Sequence, residues 1–341
     1  MKQRYSLTSN AVKFRLLTLT LLTLFIGSAH TAWGWGETVQ VPRIYEIQST
    51  ETPSTDGLGT YKFKYRYSDD NGTTWVNWSS ETNYIEQFIV NCPNATDEVK
   101  IIFNTSHPVS FRNNNGSGGS NNNKPGFAVR KGILIMELGP SYTSTVTLKR
   151  TSGFSNNQNG SCPFFLGMNA NGGQDGGPAE QRKLIIRGND PTMEEVTTAA
   201  SPYSGDGYLP TSVKQDTCTF LNTRQFVIDG GYTFNNISWD DEGTLTVTGS
   251  GSQSQIPFFR VQTGTLELTN VTIQNSRHSA GHGAVYIMTN NTGVSDEVTK
   301  NVTVKMTHCL IHNICGANAT SLYPGVGIQF TPGKDKGTGI V

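Results

Sequence analysis

The sequence predicts an all-β protein whose main body is a solenoid of stacked parallel strands, and three observations lead there. First, residues 258–313 carry their apolar side chains in short alternating pieces. Leu266 and Leu268 share one face with Glu267 opposite, and Val271 and Ile273 share one face with Thr272 opposite. A two-residue period rich in branched side chains is the pattern of a strand with one buried face. The parity switches at Thr269-Asn270, where a bend between two strands keeps both pairs pointing inward. Second, the pieces recur. Val271-Thr272-Ile273-Gln274-Asn275 returns as Cys309-Leu310-Ile311-His312-Asn313, and Phe259-Arg260-Val261 is echoed by Val285-Tyr286-Ile287. Short strands that cannot bury an inner face alone do so by stacking on their own repeats. Third, Gly, Asn, Ser and Thr are abundant and helical periodicity is almost absent. Gly and Asn tolerate positive φ, so this composition supplies turns rather than helices. The parity assigns Leu266, Leu268, Val271, Ile273, Val285, Ile287, Val302, Val304, Cys309 and Ile311 to one continuous core.

With those residues in view, the chain resembles the right-handed parallel β-helices of the pectin-lyase-like class. The likeness is carried by TLELTNVTIQN (265–275), GHGAVYI (281–287) and FVIDGG (226–231), and it extends from about Lys183 to the end. It is strongest towards bacterial surface and secreted repeat proteins, including polymorphic outer-membrane proteins with G-G-A-I and F-x-x-N repeats. The resemblance implies a right-handed β-helix and a secreted or cell-surface setting. It implies as partner an extracellular glycan or a host or cell-surface protein. It says almost nothing about chemistry.

Taken in order, the chain opens with Lys2, Arg4, Lys13 and Arg15, an apolar run over 16–26, and small residues. That is the layout of a secretory signal peptide over residues 1–34. The apolar run is too short for a bilayer-spanning helix, which needs about 20 residues. Ala32-Trp33-Gly34 and Gly27-Ser28-Ala29 are alternative cleavage regions, and no cysteine lies near either for a lipid anchor. The remaining chain, about 300 residues, suits one elongated body or two compact ones. Lys and Arg total 26, as do Asp and Glu, so no net charge draws the protein to nucleic acid or to an anionic membrane. Of the five cysteines, Cys92, Cys162, Cys218, Cys309 and Cys315, none forms a metal-type CxxC pair, and Cys309 reads as a small buried hydrophobe stacked above Val271. The Asn-x-Ser/Thr sequons, such as Asn77-Trp78-Ser79 and Asn270-Val271-Thr272, matter only in a host that glycosylates them.

Residues 35–112 have another texture and read as a β-rich N-terminal region or cap. Tyr61, Phe63, Tyr65 and Tyr67 form one face of a strand, with Lys62, Lys64 and Arg66 on the other. Ser68–Trp75 then fits the pattern S-x-D-x-G-x-T-W of an Asp box. In such a hairpin Gly72 takes a positive φ, Asp70 accepts turn amides and Trp75 packs beneath. Asp boxes recur along sialidase propellers, but there in several copies and without a catalytic role, so the single copy here reads as a hairpin. Further strands are expected at 88–90 and 99–103. Residues 113–124, rich in Asn, Gly and Ser, read as a loop or linker. Residues 125–341 form the β-helix, with early strands at 133–138, 145–148, 164–166 and 184–186. The stretches 172–178 and 189–218 are expected to be loops projecting from it, since stacking holds strands while turns are free to lengthen. A last strand begins at 326–330 with no capping element after it, which reads as a fragment of a longer chain.

Candidate chemistry centres on His282, in Gly281-His282-Gly283, and on Asp240 and Asp241. A Gly-His-Gly triplet also occurs in polygalacturonase-type β-helix hydrolases, whose inverting reaction needs two carboxylates held apart across the scissile bond. Asp240 and Asp241 lie about forty residues upstream, nearer two coils than one, and the flanking motifs of that family are absent. Ser279–Ile287 fits the G-G-A-I repeat as well, with His282 replacing a turn glycine. A lyase would need clustered carboxylates holding calcium. On the outward faces Glu267 stands alone and Asp229 belongs to the VIDGG turn, so calcium enters only on that reading and no other cofactor or metal is called for. His308 and His312 are placed on the outward face of one strand, about 13 Å apart by the rise per residue, too far to share an ion. The function expected is a non-catalytic, exported adhesin or glycan-binding module. The alternative is a carbohydrate-active enzyme, a polysaccharide lyase or glycoside hydrolase acting on polyuronates or similar glycans.

Overall fold

The computed structural model describes residues 35–55, 57–105, 107–112, 125–140, 145–150, 162–167, 181–189, 192–197, 217–222, 226–239, 245–251, 253–254, 257–278, 284–288, 302–318, 321–322, 327–331 and 339–340. Nearly all of them are strand, and a single network joins 21 of those strands. The protein is all-β, and its strand pairing is overwhelmingly parallel.

The network resolves into three ladders. The first stacks Arg43–Pro53, Glu98–Phe103, the second half of Phe127–Leu138, Arg182–Arg187, Gly264–Thr269, Val302–Thr307 and Gly339–Ile340. The second stacks the start of Tyr84–Asn91, then Val109–Arg112, Val146–Arg150, Phe226–Asp229, Val271–His278 and Leu310–Asn318. The third stacks Trp35–Val39, the end of Tyr84–Asn91, the first half of Phe127–Leu138, Phe164–Leu166, Phe259–Val261, Val285–Met288 and Ile328–Thr331. From Glu98 onward the chain visits them in the same order, first, second, third, and returns to the first. Both predicted repeats are in register. Thr272, Ile273 and Gln274 pair with Leu310, Ile311 and His312, and Phe259, Arg260 and Val261 pair with Val285, Tyr286 and Ile287.

One hydrophobic cluster runs from Trp35 to Val304. Along the first ladder Val99, Leu134, Leu184, Leu266 and Val304 stack rung on rung. Along the third, Phe127, Phe164 and Phe259 stack with centroids 5.1 and 4.6 Å apart and planes within 7° and 14°. Such offset rings add to their area burial. The corners are made where the sequence permits a left-handed residue. Asn270 has φ 55° at the predicted bend, Asn275 has φ 58° and Asn313 φ 51°. Gly132, at φ 100°, splits Phe127–Leu138 between two ladders, and a Cβ there would stand 3.0 Å from the Asp97 carbonyl. The sequence reading saw only the second half of that strand.

Two expectations need correction. His308 is not on the outward face of a strand with His312. It is exposed at a left-handed corner, φ 51°, in the position that Asn270 occupies one rung earlier. A short polar side chain suits that conformation, so the corner claims it. Cys309 and Ile311 keep inward parity but are only half-buried against the core. Among the described residues, parallel stacking neighbours meet this rung on one side only. The Cys309 Sγ lies 3.4 Å from the Leu268 carbonyl oxygen, and burial raises its thiol pKa. Trp75 packs against the turn as expected, its ring 3.7 Å from where a Cβ on Gly72 would stand, while on its other side the Arg66 guanidinium is 4.6 Å from its ring and 4.7 Å from that of Trp78.

The rest of the Asp-box turn is as read. Gly72 has φ 87°, the Thr74 amide donates to Asp70 Oδ1 at 2.8 Å, and the Trp75 indole donates to the Gly72 carbonyl at 3.1 Å. Bonds from Thr74 and from Ser68 bring the Asp70 carboxyl from 3.8 down to about 2. Tyr61–Ser68 runs antiparallel to Arg43–Pro53. Its other edge is met by an irregular return in which Val76 and Ser79 donate to the carbonyls of Tyr67 and Tyr65. Both edges of this outermost strand are therefore bonded within the chain, which blunts an otherwise adhesive sheet end.

Candidate functional site: the outward face of the second ladder

Ile228, Ile273 and Ile311 point inward on neighbouring rungs of the second ladder, so Asp229, Gln274 and His312 point outward, paired in register, with Lys149 one rung before them. A cation, a carboxylate, an amide and an imidazole thus form one row at a spacing of about 4.8 Å. The Gly230-Gly231 pair lets the chain leave directly after Asp229. A Cβ on Gly230 would come within 2.4 Å of the Asn275 carbonyl oxygen, and Gly231 has φ 70°. The freed Gly231 amide turns back to donate to Asp229 Oδ1 at 2.7 Å. The other oxygen, Oδ2, accepts from Gln274 at 3.0 Å and from Asn275 at 2.9 Å. Asn313 continues the line by donating to Asn275 Oδ1 at 3.3 Å. Asp229 is 8% exposed and both its oxygens accept hydrogen bonds, so it organises the row.

Behind this row Arg150 is fully buried. Its guanidinium donates to the Gly230 carbonyl at 3.2 Å and lies 5.1 Å from the Phe258 ring. Burial lowers its pKa to about 10, against the pull of Asp229. Burial likewise lowers the pKa of His312, with Asp229 and Asn313 opposing, so at neutral pH the row presents a neutral imidazole that both donates and accepts. Arg277 donates to the Tyr232 hydroxyl at 3.0 Å.

Two antiparallel strand pairs flank Phe226–Asp229 in the chain. Thr192–Thr197 pairs with Thr217–Asn222, which begins within the predicted 189–218 excursion and runs past its end, just before Phe226–Asp229. Tyr232–Trp239 pairs with Leu245–Gly251 just after it. Phe226–Asp229, which carries Asp229 of the row, therefore lies in the chain between two antiparallel strand pairs.

The outward face of the first ladder is different. Glu137 sits between Lys100 at 3.1 Å and Arg187 at 2.7 Å, and Glu267 between Lys183 at 2.8 Å and Lys305 at 3.4 Å. Partial burial works against the Glu267 charge, yet the two lysines outweigh it and lower its pKa. Glu46 pairs with Arg66 and accepts from Asn104, both at 2.6 Å. Each carboxylate in this set is thus held by at least one cation or amide.

His282, Asp240 and Asp241 lie outside the described residues, as do residues 172–178. Among the described residues no three of His, Cys, Asp and Glu gather closely enough to hold a metal ion, and no helix is long and apolar enough to cross a membrane. No protein family, curated protein or solved structure matches this chain. The sequence reading missed Gln274, Asn275, Asn313 and Arg277 as members of a site. The available signal was the asparagine closing both copies of the five-residue repeat.

Proposed function

We propose that this chain is an exported right-handed parallel β-helix acting as a non-catalytic surface or secreted module, with a glycan held along the outward face of its second ladder. The observation that carries the reading is the use of the carboxylates. Glu46, Glu137 and Glu267 are each held by flanking cations or amides, and both oxygens of Asp229 accept bonds. The cyclic visiting of three parallel ladders, with asparagines at matching left-handed corners, supports the β-helix. Amide, imidazole and ammonium groups at rung spacing supply the mixed donors and acceptors that sugar hydroxyls need. The antiparallel strand pairs that flank Phe226–Asp229 in the chain supply walls. The 1–34 segment supports export, and the ligand is an extracellular glycan.

The test uses the purified chain lacking residues 1–34 on a panel of pectins, alginates and glycosaminoglycans. Binding to at least one of them is expected, with no release of reducing ends and no unsaturated-uronate absorbance. Changing Gln274 and His312 together to Ala should weaken binding at least tenfold, the equivalent of about 1.4 kcal/mol. Turnover that disappears in Asp240→Asn or His282→Ala while folding is intact would establish the enzyme reading instead.

A further inference from the structure

The outward face of the N-terminal sheet carries two indole rings that the core does not use. Tyr61–Ser68 turns Phe63, Tyr65 and Tyr67 towards the core, so Lys62, Lys64 and Arg66 face outward. The return over residues 76–82 bonds alongside, with Val76, Ser79 and Thr82 donating to the carbonyls of Tyr67, Tyr65 and Phe63. Trp75 and Trp78 lie on this outward face, their rings 4.6 and 4.7 Å from the Arg66 guanidinium. Neither belongs to the hydrophobic cluster, both are half-buried, and Val76 is 39% exposed. Leaving indoles half-wet forfeits burial, yet several bonds hold them still. The Trp75 indole donates to the Gly72 carbonyl at 3.1 Å. Arg66 donates to Glu46, and Asn104 donates to the same carboxylate, each at 2.6 Å. A rigid aromatic surface outside the core is preorganised for a partner.

We propose that this face binds a uronate-bearing glycan, with a sugar ring on Trp78 and its carboxylate on Lys64. Charge selects the ligand. Lys62 is 3.9 Å from Glu81, and Arg66 is held by Glu46. Lys64, half-buried on the same face, has no ion pair among the described residues. Gln48 is exposed and in register with Lys64, so an amide and an ammonium stand side by side for the two oxygens of one carboxylate. With the neighbouring cations already paired, this matches one charge per sugar better than clustered sulfates. Lys64 stands two residues from Arg66, about 7 Å along the strand, which leaves room for one sugar ring between ammonium and indole. The Trp78 indole N–H has no partner among the described residues and is available to a sugar hydroxyl. Competing negative charge is engaged and distant. Asp69 pairs with Arg43, and Asp70 is bonded within its turn. Both lie past Ser68, about 14 Å from Lys64 by the strand rise, beyond the screening length of about 8 Å at physiological salt. The site lies on a different face from the second-ladder row and stands or falls independently of it.

The experiment reads Trp78 directly. Tetramers of galacturonate and of mannuronate are titrated into the chain lacking residues 1–34 and followed by tryptophan fluorescence. A saturable change is expected with at least one of them, and none with the same tetramer after its carboxylates are reduced to alcohols. Trp78→Ala should abolish the change, and Lys64→Gln should weaken binding by about tenfold, the loss of one charge-assisted bond. Lys64 has no ion pair to lose, so Lys64→Gln decides if Trp78→Ala misfolds by circular dichroism. The double variant Gln274→Ala/His312→Ala should keep the full titration, which separates this site from the second ladder. No saturable change with either tetramer, equal binding of the reduced tetramer, or unaltered binding in Lys64→Gln overturns the proposal. A change lost only in the double variant overturns it as well.

Discussion

The Asp-box turn and the ladders are held by contacts of different range. In the turn, Ser68, Asp70, Gly72, Thr74 and Trp75 satisfy one another within eight residues of chain. In the second ladder, Ile273 is stacked between Ile228 and Ile311, each tens of residues away. A local motif reaches its geometry wherever it is placed, whereas a ladder position is defined only by the rungs on either side. The two regions should therefore fail differently: a ladder defect spreads through its neighbours, and a turn defect stays where it is.

The largest expected effect is in the ladder interior. Ile273 is fully buried, so Ile273→Asp places an uncompensated charge among stacked aliphatics and should cost several kcal/mol, roughly 4 or more. Denaturant unfolding should show either global loss of structure or a much lower midpoint. A midpoint equal to the parent's would mean that Ile273 does not face the core.

A corner residue should come next. Asn275 holds φ 58° and joins Asp229 to Asn313. Asn275→Val forces a β-branched side chain into that conformation and removes both bonds, a loss of about 2–3 kcal/mol. Asn275→Gly, which keeps the backbone, should recover part of it. Equal losses in the two variants would show that the hydrogen bonds and not the backbone set the corner.

The smallest effect belongs to the Asp-box turn. Because the folded Asp70 carboxyl titrates at about 2 instead of 3.8, its contribution is complete above pH 4 and is lost as pH falls from about 4 towards 2. Asp70 is solvent-exposed, so the effect is small and local. Asp70→Ala should remove that acid-limb dependence from the Trp75 fluorescence while leaving the main unfolding transition and glycan binding nearly unchanged. A collapse of the main transition in this variant would show that the turn and the ladders unfold as one unit.

Much of this was legible before any coordinates. The alternating parity placed Leu266, Leu268, Val271 and Ile273 inside, and the switch at Thr269-Asn270 located a corner, because both follow from a two-residue period and from asparagine's tolerance of positive φ. The Asp box was equally readable, since all its partners are close in sequence. The half-buried Cys309 and the displaced His308 were not. Their positions depend on where the stack thins and on which residue occupies the αL corner of that rung.

The sequence by itself determined the strand class, the inward faces, the repeat register and the local turn. Those properties are periodic or short-range, and side-chain identity is enough to express them. Only the tertiary structure decided that Glu137 and Glu267 each sit between two cations, and that Asp229 is closed off by Gln274 and Asn275. These pairings join residues about 40 to 80 positions apart in several cases. The intervening loops vary in length, so no spacing in the chain announces them, and rung-on-rung stacking alone brings them together.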